Sequence, residues 1–217
     1  MFSPEMAEIH LETLKANRER KTILSRLSAL LEVWMHQKVA RRDTKSKGPI
    51  LEIGAGTLNH VIFESPEIDY DAIEPIEFLY ENKAELTRIR NLKSDISEIK
   101  VSQTYARVIS IATLEHLTDL PGVVARCGLL LNDGGVFQAG IPSEGGFLWG
   151  ISWRMSTAIA FKLKTGLDFS KLMEHEHVND ASEIRQVLKY FFQDVSVRRF
   201  PFPFFHLMCV LLNGRFI

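Results

Sequence analysis

Short apolar runs, rich in β-branched residues, alternate with longer helix-like stretches from residue 50 onward. This alternation constrains the fold more than any other feature of the chain. The strand-like runs lie at 50–53, 70–74, 107–111 and 136–141, and helical spacing occupies 76–89 and 117–131. Strands separated by helices pair in parallel, because each helix carries the chain back across a face of the sheet. The pattern predicts an α/β fold with a doubly wound, mostly parallel sheet.

The last third of the chain follows a different pattern. Asp180 and Glu183 form a capping box that predicts a helix through Phe192. Strand patterns then follow at 195–200 and 205–212, joined by a short connection that contains prolines. Strands joined by so short a connection must be antiparallel, since parallel neighbours need a long crossover. We therefore expect one antiparallel strand near an edge of the sheet.

The residues before the first strand have a helical pattern. Ser3, Pro4 and Glu5 are a typical helix start, and no glycine or further proline follows before Arg41. A polar segment, 41–48, precedes the first strand. The sequence thus predicts an N-terminal helical extension at 1–47 and a main domain at 48–217. Within that domain, an insertion at about 143–179 is expected to cap the sheet.

Composition excludes several classes of protein. The 217 residues contain 26 Lys plus Arg and 27 Asp plus Glu, so bulk positive charge offers no basis for binding nucleic acid. The two cysteines, Cys127 and Cys209, are too few for a disulfide framework or a four-cysteine zinc site. Apolar stretches at 147–161 and 200–212 are shorter than the roughly 20 residues that span a bilayer. We expect no transmembrane segment and a cytoplasmic protein.

Acidic residues and glycines collect at the predicted strand ends. Gly54 and Gly56 follow the first strand, where glycine lets the backbone approach a ligand closely. Glu52 precedes them and is placed to direct a carboxyl group into the same crevice. Glu74 comes 18 residues after Gly56, the spacing at which a carboxylate receives ribose hydroxyls. Asp95 follows the predicted third strand and can accept from an adenine amino group, so the set suits a nucleoside that carries a cationic amine.

These residues resemble the class I S-adenosylmethionine-dependent methyltransferases over roughly positions 48 to 212. The matching elements are Glu52-x-Gly54-x-Gly56, Glu74, Asp95, Ile111–His116, Gly134–Phe137 and Glu176–Val178. Among these enzymes the chain resembles methyltransferase type 11 and small bacterial enzymes associated with cell-surface polysaccharide clusters. The resemblance implies a Rossmann-like, seven-stranded sheet and S-adenosylmethionine as cofactor. Leu58 stands where the family often has a third glycine, so the loop is expected to be less open there.

The resemblance also implies a role for each matching residue. Glu52 would orient the methionine amino group, and Glu74 would hold the ribose hydroxyls. The other implied contacts are the backbone of Gly54, Ala55 and Gly56 with the methionine and ribose, Pro75 beside the adenine, Asp95 and Ile96 around the adenine, and Ala112, Thr113 and Leu114 beneath the sulfonium.

Histidines are the candidates for acid–base work on an acceptor. His116 follows the fourth strand at the mouth of the crevice, and an ordinary histidine pKa of about 6.5 suits a general base. The alternative for His116 is a residue that caps or packs its loop. His175 and His177 flank Glu176 and share one side of an extended segment, but no third ligand matches them and no metal is expected. His177 is a candidate to close over the substrate, or else makes a structural hydrogen bond.

Trp149 and Trp153 lie in the predicted insertion. Ligands of parallel sheets bind outside the carboxyl ends of the strands, so these two residues are expected near the acceptor site. They are suited to stack on a sugar or an apolar acceptor, and a small hydrophobic cap with its own core explains them equally well.

Methyl transfer to a small-molecule or glycan acceptor, with oxygen favoured, is the predicted function. One alternative is a non-catalytic partner that keeps the fold and the cofactor. Another is a nicotinamide-dependent oxidoreductase, which is disfavoured by Glu52, by Asn59 in the place of a third glycine and by the shortness of the chain. The apolar C-terminal strands and the N-terminal helix also offer surfaces for a homodimer.

Overall fold

A computed structural model of the chain describes residues 23–40, 48–142, 178–201 and 206–217. The chain divides into two compact units, Met1–Trp34 and Met35–Ile217. In the first unit the described residues, 23–34, are helical and belong to α1 (Ile23–Ala40). The second unit contains the whole sheet. The division predicted between residues 47 and 48 stays a prediction.

Within the described ranges, eight strands form one mixed sheet. In chain order they are β1 (Ile50–Ile53), β2 (Tyr70–Ile73), β3 (Asn91–Lys93), β4 (Tyr105–Ile111), β5 (Leu131–Pro142), β6 (Phe192–Gln193), β7 (Ser196–Pro201) and β8 (His206–Phe216). Their order across the sheet is β3-β2-β1-β4-β5-β8, with β6 and β7 both beside β8. Only Asp194 and Val195 separate β6 from β7, so the eight strands fill seven positions. The predicted seven-stranded sheet is confirmed.

Strands β1 to β5 are mutually parallel, and β8 is antiparallel to its neighbours on both sides. The chain has only four residues between Pro201 and His206 in which to turn from β7 into β8, too few for a crossover. This confirms the predicted antiparallel strand near one edge. Ile53, the last residue of β1, pairs with Ile73 and Ser110, so the carboxyl ends of β1, β2 and β4 lie close together.

Two further helices, α2 (Leu120–Leu129) and α3 (Ala181–Phe191), have defined caps. Asp180 accepts from the backbone of α3 while Glu183 accepts from the Asp180 N–H at 2.9 Å, which confirms the predicted capping box. Helix α2 starts later than the helical pattern, because Asp119 caps it by accepting from the Gly122 N–H at 3.0 Å. A search of the described residues finds no helix with the length and hydropathy of a membrane span.

The prediction of a helix at 76–89 is wrong. This stretch instead contains two 3₁₀ turns, Glu77–Leu79 and Ala84–Arg88. Lys83, between them, has extended backbone, and neither turn has a fully buried residue. A helix in a globular protein depends on an apolar face that packs against a core. The apolar residues here have helical spacing but no such face to bury, so the longer helix does not form.

One face of the sheet packs an apolar core against α2 and α3. Leu51 and Ile53 of β1 lie on this face, because alternate residues of a strand point the same way. The other buried members are Ile73, Ile96, Ile99, Tyr105, Val108, Leu114, Leu120, Val124, Cys127, Leu130, Phe137, Ala139, Ile141, Ile184, Leu188 and Phe192. This core holds both helices against the sheet. At their carboxyl ends the parallel strands continue into loops.

A buried polar network lies among residues of the second unit. Arg107 of β4 is its centre: Nη1 donates to Glu64 Oε2 at 2.8 Å, Nε to Gln138 Oε1 at 2.8 Å, and Nη2 to the Val39 carbonyl at 2.9 Å. His60 Nε2 donates to Glu64 Oε1 at 2.9 Å. Burial favours a raised pKa for Glu64, but the hydrogen bonds from His60 and Arg107 prevail and hold the pKa of Glu64 below its usual range. Glu64 is therefore ionised.

A histidine pair extends this network to α1. Burial lowers the pKa of His60, so its ring is neutral. With Nε2 donating to Glu64, the Nδ1 atom of His60 accepts from the Nδ1–H of His36 at 3.0 Å. The ring of His36 also stacks on Phe63, with centroids 5.4 Å apart. These contacts join residues 36–39 to the segment that follows the glycine loop.

Candidate functional site

The glycine loop after β1 turns through left-handed backbone at Gly54 (φ +68°) and Gly56 (φ +53°). The N–H groups of Gly54 and Ala55 both donate to the Ile73 carbonyl, at 2.8 and 3.1 Å. A Cβ added at Gly54 would lie 2.3 Å from the side chain of Thr113, which follows β4. Glycine is thus required at position 54 both for backbone conformation and for the close approach of the segment after β4.

Leu58 also has left-handed backbone, with φ +61°. This conformation costs a non-glycine residue roughly 1–2 kcal/mol. The side chain is fully buried, and burial of a leucine contributes about 1.5–3 kcal/mol, so packing offsets the strain. Left-handed backbone at this position would favour glycine, and this chain has a buried leucine there.

Glu74 links the end of β2 to the glycine loop. Its Oε2 accepts from the Gly56 N–H at 2.7 Å and its Oε1 from the Ile76 N–H at 2.9 Å. The residue is 5% exposed, and Pro75 beside it is exposed. The carboxylate therefore lies against the loop at the carboxyl ends of two neighbouring strands.

Asp95 lies at the end of β3, where the sequence predicts it. Its Oδ1 accepts from the Ser97 N–H at 2.8 Å and caps the 3₁₀ turn Ile96–Glu98. This hydrogen bond lowers the pKa of Asp95, so the exposed side chain is ionised at neutral pH. Ile96 is buried and packs into the apolar core.

Glu52 is buried among residues of β1 and β2, with 2% of its surface exposed. Its Oε2 accepts from the Tyr70 hydroxyl at 2.8 Å. Burial raises the pKa of Glu52 to about 8; the hydrogen bond from Tyr70 opposes this rise, and the charges of Glu64 and Glu74 add to it. At neutral pH most Glu52 carboxyls are therefore protonated. Their contact with a methionine amino group stays a prediction.

The segment that follows β4 also lies beside the glycine loop. Ala112 is exposed, has left-handed backbone (φ +51°) and donates its N–H to the Gly140 carbonyl at 2.8 Å. Thr113 Oγ1 donates to the carbonyls of Gly54 and Ile111, both at 3.2 Å. Leu114 is buried, whereas His116 is exposed. Strained non-glycine backbone of the kind seen at Ala112 is concentrated at functional sites.

The structure brings most of the predicted residues together. Glu74 contacts Gly56, and Thr113 contacts Gly54, so the ends of β2, β1 and β4 meet around one loop. The sheet order changes direction between β1 and β4, which is where ligands bind in open α/β sheets. Asp95 lies at the next strand end, β3. Predicted residues Trp149, Trp153, His175 and His177 lie outside the described residues.

Sequence reasoning missed Asn179. It donates from Nδ2 to the Leu114 and Leu117 carbonyls, at 3.0 and 2.6 Å, and from its backbone N–H to the Glu115 carbonyl at 3.1 Å. The sequence offered only its place beside the capping box at Asp180. In the described part of the chain, no group of three or more acidic, histidine or cysteine side chains is arranged to hold a metal ion.

Comparison with solved structures supports the reading of the fold. A possible histamine N-methyltransferase from Thermotoga maritima, described as S-adenosylmethionine-dependent, matches 95% of this chain and 98% of its own with a TM-score of 0.63 and 16% identity. The CurJ carbon methyltransferase matches 93% of this chain at a TM-score of 0.58 and 17% identity, and this chain covers 58% of its length.

A third solved structure of similar fold is also a methyltransferase. Magnesium protoporphyrin IX methyltransferase from Synechocystis PCC 6803, solved with bound SAH, matches 94% of this chain and 86% of its own at a TM-score of 0.54 and 10% identity. No family model matches the sequence, and no curated protein matches it either. At these identities the likeness establishes the fold: the chain has the Rossmann-like fold of the class I S-adenosylmethionine-dependent methyltransferases.

Proposed function

We propose that this protein is a methyltransferase that uses S-adenosylmethionine. The observation that carries the proposal is the Glu74 carboxylate, held against Gly56 of the glycine loop at the point where the sheet order changes direction. A carboxylate there is an acceptor for the two hydroxyls of a ribose, and the loop leaves backbone rather than side chains facing the ligand. Solved methyltransferases with the same fold support this reading.

The cofactor would lie along the strand ends. In this arrangement Glu74 holds the ribose, Asp95 accepts from the adenine amino group, and Glu52 faces the methionine amino group. The remaining contacts that we propose are Gly54, Ala55 and Gly56 with the methionine and ribose, Pro75 and Ile96 with the adenine, and Ala112, Thr113 and Leu114 beneath the sulfonium.

Methyl transfer asks little of reactive side chains, because the methyl group is bonded to a cationic sulfur and leaves by in-line displacement. Alignment of the two reactants supplies most of the acceleration, on the order of 7–11 kcal/mol for well-oriented groups. A hydroxyl acceptor also needs its proton removed, and His116, exposed after β4, is our candidate base. We propose a small-molecule or glycan acceptor, methylated at oxygen, with Trp149, Trp153 and His177 on the acceptor side.

Calorimetry with S-adenosylmethionine tests the proposal directly. We expect saturable binding of both S-adenosylmethionine and S-adenosylhomocysteine, and none of NAD. Absence of binding at millimolar cofactor would overturn the proposal. Formation of S-adenosylhomocysteine with a panel of sugars and small hydroxyl compounds then separates an enzyme from a non-catalytic binding partner.

Replacing Glu74 by alanine is expected to weaken cofactor binding by about 10- to 150-fold, because hydrogen bonds to a charged group are worth about 1.5–3 kcal/mol. The dissociation constant from calorimetry checks this. Glu77→Ala is the matched control, since it removes an exposed acid three residues further along the same segment. Equal affinities for the two variants would contradict the role of Glu74.

Replacing His116 by alanine is expected to leave the cofactor dissociation constant within about threefold of wild type. Turnover of a hydroxyl acceptor should fall by about 10²–10⁴-fold, the usual contribution of a general base. The rate of S-adenosylhomocysteine formation, measured with saturating cofactor, checks this. Loss of cofactor binding with unchanged turnover would reverse our assignment of the two roles.

A further inference from the structure

Asn179 joins two parts of the chain that are more than 60 residues apart. Its side-chain Nδ2 uses both hydrogens, donating to the carbonyls of Leu114 and Leu117, and its backbone N–H donates to the Glu115 carbonyl. Three of the four residues from 114 to 117 are thus held through their carbonyl groups by one residue. We call residues 113–117, which follow β4 after Ala112, the β4 turn.

The β4 turn is short. Its 3₁₀ helix, Leu114–His116, is three residues long, and the amides of His116 and Leu117 donate within the turn at 3.0 and 3.4 Å. A turn this short leaves carbonyls without intrahelical partners, and buried carbonyls need partners from elsewhere. Asn179 supplies donors to the Glu115 and Leu117 carbonyls and a second donor to the Leu114 carbonyl, which also accepts from the Leu117 N–H. Thr113 joins the same turn to the Gly54 carbonyl.

We infer that Asn179 is a positioning residue for methyl transfer, because it fixes the β4 turn that carries His116 and the proposed floor beneath the sulfonium. This inference rests on the function proposed above. The hydrogen bonds described for Asn179 go to backbone carbonyls of the turn, so its effect on the reaction passes through the placement of Thr113, Leu114 and His116. Alignment of the reactants supplies most of the acceleration in methyl transfer. Displacement of the β4 turn therefore lowers turnover more than it lowers the affinity for the cofactor.

Asp180→Ala provides the matched control for Asn179→Ala. Asp180 is the next residue and caps α3 by accepting from the Ser182 and Glu183 N–H groups, but it makes no hydrogen bond to the β4 turn in the described structure. Both substitutions remove side-chain hydrogen bonds from the start of α3. If Asn179 has only a structural role, the two variants should have the same hydrogen exchange and the same kcat. This comparison is made at temperatures where the two variants have equal free energies of unfolding.

We call the three hydrogen bonds from Asn179 to the β4 turn the clamp. Hydrogen exchange tests the clamp without reference to activity. In the peptide that contains His116 and Leu117, we expect exchange at least tenfold faster in Asn179→Ala than in wild type, and unchanged exchange in Asp180→Ala. Asn179→Asp serves as a second variant that keeps the shape but loses the Nδ2 donor, and it should behave like Asn179→Ala. Equal exchange in wild type and both Asn179 variants would overturn the clamp.

Kinetics tests the positioning role, with the best acceptor from the hydroxyl panel. For Asn179→Ala we expect kcat to fall at least tenfold while the dissociation constant for S-adenosylmethionine stays within threefold. Asp180→Ala should keep the wild-type kcat. Equal kcat values for the two variants, or a loss confined to cofactor affinity, would overturn the role. Failure of the wild type to bind S-adenosylmethionine would overturn the proposed function and this catalytic role together, while the exchange comparison would still decide the clamp.

Discussion

Replacing Arg107 by methionine is expected to lower the free energy of unfolding by about 3–5 kcal/mol, the usual cost of removing one partner from a buried ion pair. Arg107 is 4% exposed and donates to Glu64, Gln138 and the Val39 carbonyl. Methionine fills much of the same volume but donates no hydrogen bond. The variant therefore removes a donor from each of these three buried acceptors, and Glu64 keeps its hydrogen bond from His60.

Denaturant unfolding at about pH 7 measures this loss. Lys93→Met is the control, because the 3.8 Å pair of Lys93 with Glu98 is solvent-exposed and exposed pairs contribute about 0–1 kcal/mol. The double variant Arg107→Met with Glu64→Met removes both charges and should be less destabilised than the sum of the two single variants. A loss below about 1 kcal/mol for Arg107→Met would contradict the central place of Arg107 in the network.

Replacing Glu52 by glutamine is expected to stabilise the protein at about pH 7, by about 2–3 kcal/mol, in the absence of ligand. The pKa of Glu52 is raised from 4.5 to about 8, so between these values the folded protein holds a proton that the unfolded chain has lost. Stability from this group is therefore present at low pH and declines as pH rises from about 4.5 to 8. Each tenfold difference in proton affinity is worth about 1.4 kcal/mol, which gives about 3 kcal/mol at pH 7. Glutamine stays neutral and still accepts from Tyr70.

The test compares unfolding free energies of wild type and Glu52→Gln from about pH 5 to 8.5. We expect the two curves to differ by less than about 1 kcal/mol near pH 5 and to separate steadily above it, with the wild type less stable. Glu67→Gln, which changes an exposed glutamate, is the control and should follow the wild type at every pH. Parallel curves for wild type and Glu52→Gln would contradict a buried, protonated Glu52.

Local patterns in the sequence predict most of the sheet. The apolar runs at β1, β2 and β4 are readable because buried strands are short and β-branched. The capping box at Asp180 is readable because its two residues satisfy each other's backbone N–H groups, whatever lies beyond. The short connection between β7 and β8 fixes their antiparallel pairing for reasons of length alone. Each of these features depends on residues that are near one another in the chain.

The helix expected at 76–89 shows the limit of the same reasoning. Apolar residues there have a suitable spacing, yet the stretch forms only two 3₁₀ turns. Spacing alone does not show whether a core exists for the apolar face to bury. The order of neighbouring elements decides that, and it is a property of the assembled sheet.

The candidate site divides in the same way. Glycines 54 and 56 and the acids Glu74 and Asp95 are predictable, because residues that follow parallel strands gather at one edge of the sheet. The protonation of Glu52 is not predictable from the sequence. It depends on burial and on the neighbouring Tyr70 and Glu64, which only the packed sheet brings together. Asn179 is not predictable either, since its three hydrogen bonds reach a turn more than 60 residues away.

Sequence by itself therefore determined the alternation of elements, the direction of the strands and the row of residues at their carboxyl ends. Tertiary structure alone decided which carboxyl group keeps its proton, which arginine holds the buried network and which residue clamps the β4 turn. The physical reason is the distance along the chain over which each interaction acts. Strand pattern, capping and turn length act between near neighbours, whereas desolvation and long-range hydrogen bonds arise only when distant segments exclude water together.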